Sequence, residues 1–171
     1  MANYPMPSPG DPGLIDFLRS IALFGALGDE SLQRIEAMLV PREYEVGTTI
    51  CCEGESGRAM YVIQRGEVEV QRACAGGAVV PIVRLGPGEF FGEMSLIEIQ
   101  PRSATVKVVQ PALLYSMTNR DLYTLYGQDL SGYILLLQNI CRQLARRLRK
   151  SDSRLSELLA LIQKPSGGET V

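Results

Sequence analysis

Apolar positions divide the chain into three regimes. From Leu14 they recur at helical spacing, through Ile15, Leu18, Ile21 and Ala22, until Gly25 and Gly28 interrupt the pattern. A second helix is expected at once, with Asp29 as its N-cap, a stripe of Leu32, Ile35, Met38 and Leu39, and Pro41 as its stop. Between Arg42 and Met117 the period falls to two, in short β-branched runs separated by glycine turns. The alternation is plainest at Glu67-Val68-Glu69-Val70, where the valines are expected to face in and the acids out. Many short strands with tight corners predict a compact roll or barrel.

Beyond Met117 the helical period returns. Asn119 is expected to cap a short helix through Tyr126, and the longest element should run from about Ser131 to Ile162. Within it Leu137, Cys141, Leu144, Leu148, Ser151, Leu155, Leu158 and Ile162 alternate four- and three-residue steps, the spacing of a heptad seam. A helix of roughly 32 residues would be about 48 Å long, more than a small domain covers alone. A twin helix in a homodimer is the simplest partner for the remainder. Residues 1–13, with four prolines and two glycines, are expected to form a disordered leader, residues 131–163 the long helix, and residues 164–171 a tail.

Composition narrows the function. The 171 residues suit one domain with tails, and a formal net charge of -2 demands neither nucleic acid nor membrane. No run approaches the roughly 18 to 20 apolar residues of a bilayer span, and the first residues lack the basic start and apolar stretch of a secretory signal, so a cytoplasmic protein is expected. The sequence contains no histidine, which removes imidazole acid-base catalysis, Ser-His and Cys-His nucleophiles and His-ligated metals. No enzyme and no metal site is expected. Cys51, Cys52, Cys74 and Cys141 show no C-x-x-C spacing, and the vicinal pair should point to opposite strand faces. Free thiols are the simpler reading, a redox switch the other.

The chemistry concentrates in Gly86 to Val106, GPGEFFGEMSLIEIQPRSATV. Phe90 and Phe91 lead into Gly92, where a backbone without a side chain can approach a ligand closely. Glu93-Met94-Ser95-Leu96-Ile97 then reads as a short helical turn, whose first N–H groups favour an anion. Arg102 follows with a guanidinium able to grip two phosphate oxygens, Ser103 adds a hydroxyl, and the Glu93 carboxylate can accept hydrogen bonds from a sugar. An acid beside a phosphate site implies a ligand that offers both a phosphate and a nearby donor, such as a nucleotide ribose. The alternative from the residues alone is an ordinary Glu93–Arg102 ion pair closing two strands.

The strings F-G-E-M-S-L and P-R-S-A-T-V resemble the phosphate-binding cassette of cyclic-nucleotide-binding domains, as in catabolite activator proteins and protein kinase A regulatory subunits. The likeness extends from Leu14 to about Arg149 and includes the E-G-E-x-G-x-x-x-Y-V-I-x-x-G hairpin from Glu53 to Gly66. It implies an α+β fold in which residues 14–130 form a β-roll (a double-stranded β-helix or jelly roll) with N-terminal helices, flanked by the long C-terminal helix. It also implies that Glu93 binds the ribose 2′-hydroxyl and Arg102 the cyclic phosphate, with Gly92, Met94, Ser95 and Ser103 completing the cradle through backbone amides and the serine hydroxyl. A lid from the C-terminal helix is expected within Arg146 to Ser151. No cofactor is implied. The ligand that the resemblance implies is a cyclic nucleotide, with cAMP favoured over cGMP.

Catabolite-activator relatives continue into a helix-turn-helix domain, which is not expected within the residues up to Val171. The band of Arg142, Arg146, Arg147, Arg149, Lys150 and Arg154 is therefore expected to be a solvated or partner-facing flank rather than a nucleic-acid contact. Two functions remain. One is a nucleotide sensor that signals through the long helix to a dimer or an effector protein; the other is a dimerisation or docking scaffold that keeps the fold and binds no nucleotide.

Overall fold

The structure, a computed structural model, describes residues 12–74, 76–98 and 100–162. The proposed leader and tail lie largely outside these residues. Helix α1 is Pro12–Ser20, so the helix begins two positions earlier than the apolar pattern suggested. Proline suits a first helical position, where its missing N–H has no partner to lose. A short 3-10 turn, Ala22–Phe24, and helix α2, Asp29–Met38, complete the N-terminal layer.

Six strands follow: β1 Val40–Tyr44, β2 Thr49–Cys51, β3 Ala59–Ala73, β4 Val79–Leu85, β5 Phe90–Phe91 and β6 Thr105–Thr118. They form one antiparallel sheet in the order β1-β6-β3-β4, with β2 also on β6 and β5 also on β3. The long β3 and β6 pair from Ala59↔Thr118 to Gln71↔Thr105, with bulges that let the strands curl into a roll. This confirms the expected α+β β-roll with N-terminal helices and a long C-terminal helix. Val68 is fully buried and Val70 packs behind it, while Glu67 and Glu69 bind Arg84 from the outside.

Two cores result. One lies inside the roll and includes Ile63, Val68, Leu85, Phe91, Val106 and Leu114. The other lies between roll and helices, around Leu18, Phe24, Ile35, Met60, Tyr115, Leu125 and Ile140. Because neighbouring strand residues face opposite ways, Phe90 enters the helical core and Phe91 the roll core. The two-residue strand β5 is thereby nailed on both faces, and the loop that follows has a fixed origin.

Two helix caps differ from expectation. Helix α2 takes Gly28 as its N-cap, and Asp29 is the first helical residue, its carboxylate bound instead by Arg19. Helix α4, Asn119–Gln128, is capped by Thr118, whose hydroxyl accepts from the Asp121 amide while the Asp121 carboxylate returns to the Thr118 amide. That reciprocal box satisfies two otherwise unpaired donors, which Asn119 one position later could not do.

Helix α5, Leu130–Ile162, is 33 residues long. Asp129 starts it, accepting from the Gly132 amide and the Ser31 hydroxyl, with Arg34 at 3.6 Å. Further on, the buried Asn139 amide donates to the carbonyls of Leu23 and Gly25 at 3.0 and 2.8 Å, which fastens α5 to the 3-10 turn. The heptad seam is divided. Leu137 and Leu144 pack on the domain's own core, whereas Cys141, Leu148, Ser151, Leu155, Leu158 and Ile162 are exposed. No helix among the described residues is long and apolar enough to cross a membrane.

Candidate functional site

The loop after β5 makes a sharp turn at Gly92, where φ is +78°. A Cβ there would sit 2.5 Å from Arg102 Nη1 and 2.9 Å from the Ala59 carbonyl oxygen, so the residue must be glycine on two counts. Helix α3, Met94–Ile97, follows. The Ser95 amide closes this turn on the Gly92 carbonyl at 3.1 Å. The Ser95 hydroxyl in turn accepts from the Arg102 guanidinium. Met94 is exposed at the rim.

Arg102 enters from the other side of the loop, in the segment that precedes β6. Its amide donates to the Glu55 carbonyl and its carbonyl accepts from Gly54, which ties it to the Glu53–Gly66 hairpin. The side chain is buried, with Nη1 bonded to Ser95 Oγ at 3.1 Å and Nη2 to the Ala59 carbonyl at 2.8 Å. Nε has no partner among the described residues. Nor does any carboxylate there lie within ion-pair distance of this guanidinium. A buried cation is costly without a counter-charge, and every group holding Arg102 is neutral.

Glu93 is equally buried, and its carboxylate is bound from α5. Arg147 Nη1 lies 2.7 Å from Glu93 Oε1, Arg147 Nη2 donates to the Phe90 carbonyl at 2.6 Å, and the guanidinium stacks 4.9 Å from the Phe90 ring centre. The Glu93–Arg102 ion pair considered from the sequence is therefore not formed. The two charges of the cassette stand separately, one open to a ligand and the other held by the long helix.

Between them lies a cavity of about 480 Å³, within the usual range of small-molecule sites. Gly92, Glu93, Met94, Ser95, Arg102 and Ser103 all line it, so the structure assembles every residue singled out in the cassette. Cys51, Val83, Leu85 and Val106 supply an apolar wall. Helix α5 forms the roof with Leu144, Arg147, Leu148, Lys150, Ser151 and Arg154, four of them within the stretch expected to hold the lid. The basic band is consequently split, with Arg147 on Glu93, Arg142 on Asn139, and Lys150 and Arg154 facing the cavity.

Three contributors had been given no role at the site from the sequence, although Gly57 and Tyr61 stand in the hairpin motif and Asn119 was expected only as a helix cap. Gly57 packs so closely that a Cβ would collide with Ser95 Oγ and lie 2.5 Å from Arg102 Nε. Tyr61 stacks on Phe91 with centroids 5.1 Å apart and carries the Arg102 guanidinium 5.9 Å above its ring. Asn119 donates from Nδ2 to the Ser95 carbonyl at 2.8 Å. Burial pushes the Tyr61 phenol and the Cys51 thiol up from their ordinary pKa, with the Arg102 charge opposing both shifts.

Comparison with known proteins bears on the family and the fold. The family model described as the cyclic nucleotide-binding domain matches residues 41–129. The cyclic AMP receptor protein of Thermus thermophilus is 33% identical over 141 residues, which cover 82% of this chain and 63% of that protein. The crystal structure of the Thermus thermophilus catabolite activator protein superposes with a TM-score of 0.72 at 34% identity, over 80% of this chain and 62% of that one. A cyclic nucleotide-binding domain from Methylobacillus flagellatus superposes over 92% of this chain and 85% of its own with a TM-score of 0.77; at 23% identity it speaks to the fold alone. The chain spans 62 to 63% of the length of the first curated relatives it matches.

Proposed function

The chain belongs to the cyclic nucleotide-binding domain family, and from that premise we propose that it is a cyclic-nucleotide sensor, with cAMP preferred to cGMP, which reports occupancy through helix α5. The observation that carries this reading is the Arg102 guanidinium, buried beside a cavity and bonded only to neutral groups. A cyclic phosphate supplies the missing negative charge through charge-assisted hydrogen bonds. Glu93 accepts the ribose 2′-hydroxyl, with Gly92, Met94, Ser95 and Ser103 around the phosphate. The preference for cAMP is supported by the name of the Thermus relative, a cyclic AMP receptor protein.

Signalling follows from the double use of Glu93. A ribose that bonds to this carboxylate alters the hold of Arg147, and with it the relative stability of two α5 poses. A ligand shifts such an equilibrium only by its differential affinity for the two. The exposed seam of Leu155, Leu158 and Ile162 supports pairing with a second copy, and an effector protein would read the resulting state. The function is binding, not catalysis. The unpaired cysteines suit a reducing compartment, which supports placement in the cytoplasm.

Calorimetric titration with cAMP and with cGMP, repeated on Arg102→Ala, tests the reading. The wild type should saturate, with cAMP tighter, and the variant should lose about 10- to 100-fold in affinity, as expected for charge-assisted hydrogen bonds worth about 1.5–3 kcal/mol. Absence of heat and of thermal stabilisation with either nucleotide would leave the docking scaffold as the function.

A further inference from the structure

Helix α4 starts behind the cassette, and its first residue holds the cassette and the neighbouring hairpin, one contact to each. The Asn119 side chain donates to the Ser95 carbonyl at 2.8 Å, and the Asn119 amide donates to the Arg58 carbonyl at 3.0 Å. From the cavity side Arg102 grips the same two pieces of chain. It binds Ser95 through the hydroxyl and, next to Arg58, the carbonyl of Ala59. The α3 turn and the entrance to β3 are therefore clamped between Arg102 in front and Asn119 behind.

The Asn119 side chain is not needed to start the helix, because Thr118 and Asp121 already form the capping box. Its amide oxygen is buried without a partner among the described residues, a cost that only the bond from the amide nitrogen offsets. The chemistry of this side chain is thus directed outward, to Ser95. From Asn119 the helix runs to Asp129, where α5 begins, and Arg147 of α5 returns to Glu93, close to Ser95 in the same turn.

We propose that Asn119 is a positioning residue that couples the Arg102 guanidinium to helix α4. A change in the hydrogen bonds of Arg102 to Ser95 and Ala59 is passed through one shared turn and one shared strand entrance to the first residue of α4. The proposal rests on the sensor reading for its physiological meaning, since a phosphate is what redirects Arg102. The coupling itself is a property of the unliganded protein.

A double-mutant cycle in the unliganded protein tests it. Arg102→Ala and Asn119→Ala should each lower the melting temperature, and the double variant should melt within about 1 °C of the less stable single variant, because the two residues hold one unit. Additive shifts would overturn the proposal. The Asn119→Asp variant keeps the size and places a negative charge favourably in the first turn, but lacks the N–H donor. It should reproduce the Asn119→Ala coupling, and it carries the cycle should that variant fail to fold; wild-type behaviour of Asn119→Asp would equally overturn the proposal.

Hydrogen exchange gives a second readout, which a merely structural residue would leave unmoved. In wild type, cAMP saturation should alter amide exchange in the first turn of α4. In Asn119→Ala it should not, although calorimetry still shows saturation. An unchanged response in the variant sinks the coupling. A wild type that binds no cyclic nucleotide refutes the sensor instead, and the cycle still decides the role of Asn119.

Discussion

Arg147 and Glu93 stand 54 residues apart in the chain and 2.7 Å apart in space, so the long helix rests its weight on the carboxylate proposed to receive the ligand. The contact joins a nearly buried acid to a half-exposed base, with side-chain exposures of 4% and 41%. Its loss falls unequally. Water can solvate a freed arginine, but Glu93 would keep its charge inside the protein.

Arg147→Ala is therefore expected to destabilise the domain by about 1–2 kcal/mol, less than the roughly 3–5 kcal/mol of a fully buried broken pair because one partner is already solvated. Chemical denaturation of the two proteins measures this. A variant as stable as wild type would show that Glu93 is adequately solvated without the helix.

Gly57→Ala should act on Arg102 without touching it chemically. The added methyl occupies the space of Ser95 Oγ and of Arg102 Nε, so the guanidinium must move. Affinity for cAMP should fall about tenfold or more, for a misplaced bidentate donor loses geometry as well as energy. Calorimetry reads the affinity and a melting curve establishes that the fold is retained; undiminished binding would mean that Arg102 tolerates displacement.

Asp129 predicts an acid-sensitive joint between α4 and α5. The Ser31 hydroxyl, the Gly132 amide and Arg34 all favour its charged form and hold its pKa below the ordinary value. A carboxylate depressed in the folded state adds stability above its unfolded pKa of about 3.9 and loses it as the pH falls through the lower folded value. Asp129→Asn should thus be less stable than wild type at pH 7, and the gap should close progressively below about pH 4. Melting curves from pH 7 to pH 3 test the sign. A gap that stays constant with pH would assign the loss to packing rather than charge.

Thiol reactivity should divide the cysteines. Cys52, Cys74 and Cys141 are exposed and Cys51 is buried, with burial raising the Cys51 thiol above its ordinary pKa and so depleting its reactive thiolate. Brief alkylation of the native protein near pH 7.5, read by peptide mass spectrometry, should modify the first three and spare Cys51, which becomes reactive only on unfolding. Rapid native labelling of Cys51 would show that the roll opens.

Much of this was legible in the sequence, for local reasons. Period-two alternation such as Val68 and Val70 against Glu67 and Glu69 marks the roll, and Gly92, Glu93 and Arg102 declare themselves within one short segment. The cap residues were misread by one position, since Thr118 and Asn119 are both plausible caps and only Asp121 three residues on decides for threonine. Gly57 stands in the quoted hairpin motif, but what it does there could not be read. Its constraint is the side chains of Ser95 and Arg102, which only the fold brings to it. Arg147 was one arginine among several on one helix, and nothing local says which of them turns toward Glu93. The seam was visible but its division was not, because a heptad records which residues share a face and not what covers that face.

That division has a mechanical meaning. Past Arg147, which hydrogen-bonds Glu93 and Phe90, α5 continues to Ile162 for about 22 Å at ~1.5 Å per residue, so a tilt of only about 10° at the arginine would sweep the far end through about 4 Å. In the proposed sensor the exposed leucines would ride on a lever whose short arm ends at the cavity. A rearrangement no larger than the breaking of one hydrogen bond would be magnified there into a displacement comparable to the width of a side chain, enough to bring one row of leucines into register with a neighbour or to take it out.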